Sequence, residues 1–359
     1  MLGSFRYALA IMVMLSHLWM DLNWWQGAYA VQAFYVVSGY LMTLVLNEVY
    51  TGASGKLAYV INRLLRIYPL YIAAVIAGVI LLSVATRTLP QNETMQWALT
   101  HGLRSASSPA DWFGNVTLLY RWDTPLVIAQ AWSLRVELVF YLLMIALTRH
   151  RWLIALWVTC SIAITAYYEL QDAPFIIRYA TVAGGSLAFS LGALVYHIKA
   201  SFPLPSFNIP LAVFLFFGHT VFAAEIWGFE RHKQGLEFLS ETSHFGIHIS
   251  VLLAAYLLLA INTDRSHGVK MGFDRTLGDL SYGVFLLHWI CAVAIMSLGV
   301  SFENKVLLIP GSFVCVNVLA YIMHRYIERP IDKAIRSQLR AKARMRSQTF
   351  LNETTAKSE

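Results

Sequence analysis

The chain has 359 residues, of which 58% are hydrophobic and only 13% charged, with a formal net charge of +7. A soluble domain of this size carries about twice that share of charge, so the composition excludes an ordinary soluble enzyme. In a membrane protein the positive balance reflects basic segments on the cytoplasmic side, and no nucleic-acid partner is expected.

Runs of about 20 apolar residues recur along the whole length and predict an all-α polytopic membrane helix bundle. About ten transmembrane helices are expected, near residues 4–22, 27–48, 67–85, 126–147, 152–169, 179–197, 209–229, 244–262, 279–299 and 305–326. The first contains a histidine and lacks a small-residue cleavage site, so it reads as a retained helix and not a signal peptide. The connecting segments alternate in basic content. One side holds Lys56, Arg63 and Arg66, then Arg149 and Arg151, Lys199, and Arg265, Lys270 and Arg275. The other holds Arg87, Arg104, Arg121, Arg178, Arg231, Lys233 and Lys305, spread over longer stretches. Both termini are therefore expected in the cytoplasm.

The segment 86–125 is the longest external one and contains Pro90, Pro109, Pro125 and an aromatic stretch from Trp112 to Tyr120. Loops of that length usually have a function or are disordered. It reads as a partly ordered cap over an acceptor entrance; interfacial anchoring by Trp and Tyr is the alternative. Residues 1–330 form the expected membrane domain, and 331–359 a basic cytoplasmic tail with Lys333, Arg336, Arg340, Lys342, Arg344 and Arg346. Such a tail is attracted to anionic lipid. Cys160, Cys291 and Cys315 lie in apolar stretches with neither metal spacing nor a disulfide framework.

Several polar groups fall inside the apolar runs. Arg6 and His17 lie on the first, separated by roughly 16 Å of helix rise, which places Arg6 near one face and His17 near the midplane. Ser38 and Glu137 are each about 16 Å from the outer face and His288 about 14 Å from the inner one. Groups at that depth are costly and should face each other or a wet cavity. Packing is the competing reading for Ser38 and Ser133, architecture for Arg135 and Glu137, and interfacial anchoring for Tyr282. Arg63 and Arg66 share one helical face, just before Pro69, which suits the first turn of a helix. With Arg6 they form a basic layer suited to phosphates, because a guanidinium offers a bidentate fork.

Together these pieces resemble the acyltransferase 3 family of bacterial membrane O-acyltransferases. Arg6 and His17 look like its basic-residue–ten-residues–histidine signature, and Ala30 to Met42 is similar to its second-helix Ser-Gly motif. Arg63 to Tyr71 matches its Arg-x-x-Arg-Ile-Tyr-Pro block, and Ala131 to Glu137 its Trp-Ser-x-x-x-Glu block. Leu280 to Trp289 looks like its late Ser-Tyr…His motif, and Ile327 to Pro330 its closing Glu-Arg-Pro. Two departures stand out: Gln32 occupies a position that is acidic in many members, and the chain is too short for the extracytoplasmic hydrolase-like domain that many members carry.

The resemblance implies transfer of an acyl group, often acetyl, from cytoplasmic acyl-coenzyme A to a hydroxyl of a carbohydrate or lipid-linked glycan, in the bacterial inner membrane. No resident cofactor and no metal are expected; acyl-coenzyme A is a co-substrate. Arg6, Arg63 and Arg66 are expected to hold its phosphates, and His17 to act as general base oriented by Glu137. Tyr35, Ser38, Trp132, Ser133, Tyr282 and His288 are candidates for substrate placement or oxyanion stabilisation. Direct transfer and an acyl-enzyme relay both stay open. Two competing classes remain: a transporter or flippase, which also uses charged residues at the midplane, and an inactive scaffold in polysaccharide assembly.

Overall fold

A computed structural model describes residues 1–88, 102–120, 124–148, 150–231, 237–263, 271–335 and 337. Pro90, Arg121, Arg149, Lys233, Arg265, Lys270 and the tail residues Arg336, Arg340, Lys342, Arg344 and Arg346, named above, lie outside them. The helices are α1 (Leu2–Leu18), α2 (Met20–Glu48), α3 (Gly52–Thr88), α4 (Pro109–Thr117), α5 (Trp132–Leu147), α6 (Arg151–Leu170), α7 (Phe175–Ala180), α8 (Val182–Ser201), α9 (Ile209–Arg231), α10 (Glu237–Thr263), α11 (Met271–Ser297) and α12 (Lys305–Met323). A 3₁₀ turn at Ala129–Ala131 leads into α5, and a π-helical turn at His324–Glu328 follows α12. Among the described residues seven helices are long and apolar enough to cross a membrane. The protein is thus an all-α polytopic membrane bundle. The remaining expected spans, 4–22, 179–197 and 209–229, fall on α1, α8 and α9.

Three boundaries differ from expectation, and each matters for the site. α1 ends at Leu18, because Trp19 leaves helical geometry (φ −130°, ψ 59°) and α2 begins directly after it. His17 therefore sits in the last turn of its helix and not at the centre of a span. α3 begins at Gly52, fifteen residues before the expected start, so Pro69 lies inside the helix and does not open it. Proline there removes one ladder donor; beside it, the Ile67 carbonyl accepts a hydrogen bond from the Tyr282 hydroxyl at 3.0 Å. α5 starts at Trp132, not near 126, leaving Leu126 to Ala131 as the approach to the helix.

The first helix is held parallel to α11 in a fixed register. At its start, the Gly3 and Ser4 backbone N–H groups and the Ser4 hydroxyl donate to Asp274, at 3.1, 2.8 and 2.7 Å. The N–H groups of a first helical turn have no partner within the helix, so a carboxylate from α11 caps α1. Gly3 permits the contact: a Cβ there would lie 1.8 Å from the Asp274 carbonyl oxygen. At the other end His17 meets His288 at the same sequence offset, 271. Fourteen residues of shared register, about 21 Å of rise, connect cap and histidines.

α2 and α5 also run parallel, in step through Tyr35–Ser133, Ser38–Glu137 and Asn47–Thr148, at offsets of 98, 99 and 101. α2 packs on α8 through glycine. A Cβ on Gly39 would lie 2.2 Å from the Phe189 carbonyl oxygen, and one on Gly192 2.0 Å from that of Val36. Small residues allow this backbone approach where lipid supplies no hydrophobic drive between helices.

The described part of the expected cap tucks against the bundle. Gly102 meets the Trp289 ring, and Leu103, Val127 and Ile128 pack on Gly78 of α3. Ser108 and Asp111 form a capping box that starts α4, with Pro109 at its first position. The Ser108 N–H holds the Asp111 carboxyl below the ordinary carboxylate range. Asn115 fastens the segment: its Nδ2 donates to the Asp111 and Pro125 carbonyls, each at 2.9 Å. Its Oδ1 accepts from Val127 N–H at 2.7 Å, and its own carbonyl accepts from Tyr71 at 2.7 Å. Asn115→Ala strands the buried Val127 N–H, a loss of about 1–3 kcal/mol. The thermal midpoint of the detergent-solubilised protein is expected to fall; an unchanged midpoint would remove Asn115 as the fastening point.

Candidate active site

Helices α1, α2, α3, α5 and α11 enclose an inner cavity of about 320 Å³. Arg6 enters it from α1, and Arg63 and Arg66 from one face of α3. Against these three guanidiniums stand two carboxylates, Glu137 and Asp279. Both Glu137 oxygens are occupied by hydroxyls: Ser38 donates to Oε1 at 2.8 Å and Tyr141 to Oε2 at 3.0 Å. The Arg63 guanidinium lies 5.8 Å from the centre of the Tyr59 ring, and its buried Nε–H has no hydrogen-bond partner. A buried, unpaired, charged donor is costly unless a ligand completes it. Tyr282 also lines this cavity, as does Tyr35, which donates to the Ser133 carbonyl at 3.5 Å and stacks on Phe189.

A second, outer cavity of about 450 Å³ contains His17, Gln130, Trp132, Ser133, Tyr179 and Trp289. The tucked segment contributes Arg104, Tyr120 and Thr124 to its wall, and α7 contributes Phe175 and Ile176. Trp132 meets Tyr179 edge-on with ring centres 4.9 Å apart, and Phe175 stacks on Tyr179 at 5.0 Å. α7 is itself anchored: Arg178 pairs with Glu169 at 2.5 Å and with Asp172 at 2.8 Å, and donates to the Ala173 carbonyl.

His17 Nδ1 lies 2.8 Å from His288 Nε2, with the two rings stacked at 5.0 Å. His288 is fully buried, and its Nδ1 lies 2.8 Å from the Phe285 carbonyl oxygen. That oxygen can only accept, so His288 Nδ1 carries a hydrogen and, in the neutral ring, Nε2 carries a lone pair. His17 Nδ1 must then donate to it, which leaves the lone pair of neutral His17 on Nε2. The tautomers are assigned from the network.

The cavities share Val31, Ser133 and Phe285 in their walls. Arg6 and His17 mark their two levels, roughly 16 Å apart on α1. The expected single layer of His17, Ser38, Glu137 and His288 therefore separates into two. Ser38 and Glu137 stand at the Arg6 level, and the histidines stand one cavity further out. Pairing of Glu137 with His17 is corrected by this geometry: the carboxylate is held by Ser38 and Tyr141, and the ring nitrogen beside His17 Nδ1 is that of His288. The difference lies in α1, which stops at Leu18 and so leaves His17 in its last turn, not at mid-span. Gln32, the departure from an acidic residue, lines neither cavity; it is buried between α2 and α8 and donates to the Gly184 carbonyl at 3.4 Å. Sequence reasoning missed Gln130, Tyr179 and Trp289. For Gln130 a signal existed, a polar residue two positions before Trp132 within an apolar stretch.

Comparison with protein families gives one match: the model named Acyl_transf_3, described as an acyltransferase domain, covers residues 2–325. No curated protein and no solved structure matches the chain.

Proposed function

The chain belongs to the acyltransferase 3 family, and from that premise we propose that it transfers an acyl group, acetyl first among candidates, from acyl-coenzyme A to a hydroxyl of an exported or envelope glycan. The observation that carries this reading is the pair of adjoining cavities, with guanidiniums at one level and a tautomer-defined imidazole at the other. Arg6, Arg63 and Arg66 bind the phosphates of the donor on the cytoplasmic side of a bacterial inner membrane, and the unpaired Arg63 Nε–H is one donor waiting for them. The pantetheine arm then rises past Ser133 and Phe285 toward His17, a path of roughly 16 Å.

The acceptor hydroxyl enters the outer cavity and attacks the thioester carbonyl. His17 Nε2 takes its proton as the C–O bond forms, and His288 Nε2 keeps its hydrogen bond to the resulting imidazolium. Collapse of the tetrahedral intermediate breaks the C–S bond. The departing thiolate recovers the proton from His17, leaving an ester and free coenzyme A. Glu137 has a different part from the one expected of it: with Asp279 it offsets the arginine charge and holds Ser38 and Tyr141 in the donor cavity.

Purified protein incubated with labelled acetyl-coenzyme A and a glycan acceptor tests the reading. Label in the glycan supports it, whereas glycan binding without thioester cleavage points to a carrier. Arg63→Ala and Arg66→Ala are each expected to raise the donor KM by about 10-fold or more, the scale of a lost charge-assisted hydrogen bond, with the acceptor KM unchanged. Unaltered donor affinity would return both residues to plain membrane anchoring.

A further inference from the structure

Gln130 is a buried polar side chain of the outer cavity that the mechanism above does not use. It is 4% exposed and sits in the 3₁₀ turn that leads into α5. Its Nε2 donates to the Leu286 carbonyl at 2.8 Å and reaches the Phe285 carbonyl at 3.4 Å. Those oxygens only accept, so the amide orientation is fixed: nitrogen toward α11, oxygen away from it. That oxygen, Oε1, is buried and has no hydrogen-bond partner. A buried amide acceptor left without a donor costs free energy that a fitting ligand recovers.

The Phe285 carbonyl joins this amide to the histidine pair, since it also accepts from His288 Nδ1. Two groups fixed on one anchor thus line the same cavity, each with an acceptor that its own contacts leave over, Gln130 Oε1 and His17 Nε2. A lone alcohol can satisfy one of them. A ligand with two adjacent O–H donors satisfies both. The edge-on and stacked rings of Trp132, Tyr179 and Phe175 add apolar faces suited to the C–H face of a sugar ring.

We propose that Gln130 is the positioning residue for the acceptor: its Oε1 takes a hydrogen bond from the hydroxyl next to the one that His17 deprotonates, so the outer cavity selects a vicinal diol such as a pyranose presents. This rests on the outer cavity being the acceptor side of the acyltransferase reading. Selectivity then arises from the unpaired acceptor, because an analogue lacking the second hydroxyl leaves Oε1 buried and unsatisfied.

The test uses the full chain in lipid nanodiscs. Methyl glucopyranoside and its monodeoxy derivatives are titrated against tryptophan fluorescence, since Trp132 and Trp289 line the cavity. Wild-type protein is expected to bind one monodeoxy derivative about 10-fold more weakly than the parent. In Gln130→Met the two should bind alike, with the donor KM for acetyl-coenzyme A unchanged. The wild-type series needs no variant, so it stands even if Gln130→Met fails to fold. Absence of saturable binding, equal binding of all derivatives to wild type, or preserved discrimination in Gln130→Met would each overturn the assignment. Discrimination without any thioester cleavage would instead sink the acyltransferase reading and leave the Gln130 hydrogen bond standing.

Discussion

Replacing His17 with alanine is expected to lower acyl transfer by about 10²–10⁴-fold, the usual worth of a positioned general base, while the protein still inserts and still binds its donor. An alcohol at neutral pH is a weak nucleophile, and the described geometry offers one imidazole in the outer cavity whose lone pair is defined by its neighbours. Insertion should survive because α1 is held elsewhere. Asp274 caps its first turn, and Phe5, Leu9, Val13 and Leu18 are buried in the core. Donor binding should survive because the arginine layer is roughly 16 Å away along the helix. The discriminating measurement is therefore a split: kcat for transfer collapses while the donor KM stays near wild type. The arginine variants should show the opposite split. A His17→Ala protein with wild-type turnover would end the base assignment.

How much of this was legible beforehand depends on what each feature requires. Apolar runs of membrane-spanning length can be read one segment at a time, so seven of the ten expected spans fall on described helices long and apolar enough to cross a membrane. Helix rise is constant, so counting from the outer ends put Ser38 and Glu137 at one depth, and they meet at 2.8 Å. Arg63 and Arg66, three residues apart, had to share a face, and both line the inner cavity. The same counting failed for His17. Hydrophobicity runs on past Leu18, but the helix stops at Trp19, where the backbone turns. The α3 boundary failed because residues 52–66 are not apolar enough to read as membrane, though they continue the same helix. The contact of His17 with His288 joins residues 271 apart in sequence, and no periodicity encodes which distant helices pack together. The Gln130 amide depends on a 3₁₀ turn that resembles the start of a span in sequence.

Substitution of His288 carries the second large effect, because it tests what orients the base. His288→Phe keeps a ring in the buried position but removes the acceptor for His17 Nδ1–H. The His17 proton can then move to Nε2, where it blocks the lone pair needed for catalysis. Loss of about 10²-fold or more in kcat is expected, within the range of a disabled general base, with the donor KM unchanged. His288→Gln separates this from simple packing. Its Oε1 can accept from His17 Nδ1–H while its Nε2 donates to the Phe285 carbonyl, reproducing both bonds with opposite ends of one amide. Recovery of most activity in His288→Gln, with His288→Phe inactive and equally stable, would establish tautomer control as the role of His288. Equal loss in both variants would assign the residue to ring packing against His17 and Trp289. Wild-type turnover in His288→Phe would show that His17 needs no partner to act. The Gln130 contact adds a constraint on the same experiment. Because Gln130 Nε2 and His288 Nδ1 both use the Phe285 carbonyl, a shift of that carbonyl in His288→Phe would also disturb the acceptor KM, whereas a pure tautomer effect would leave it unchanged.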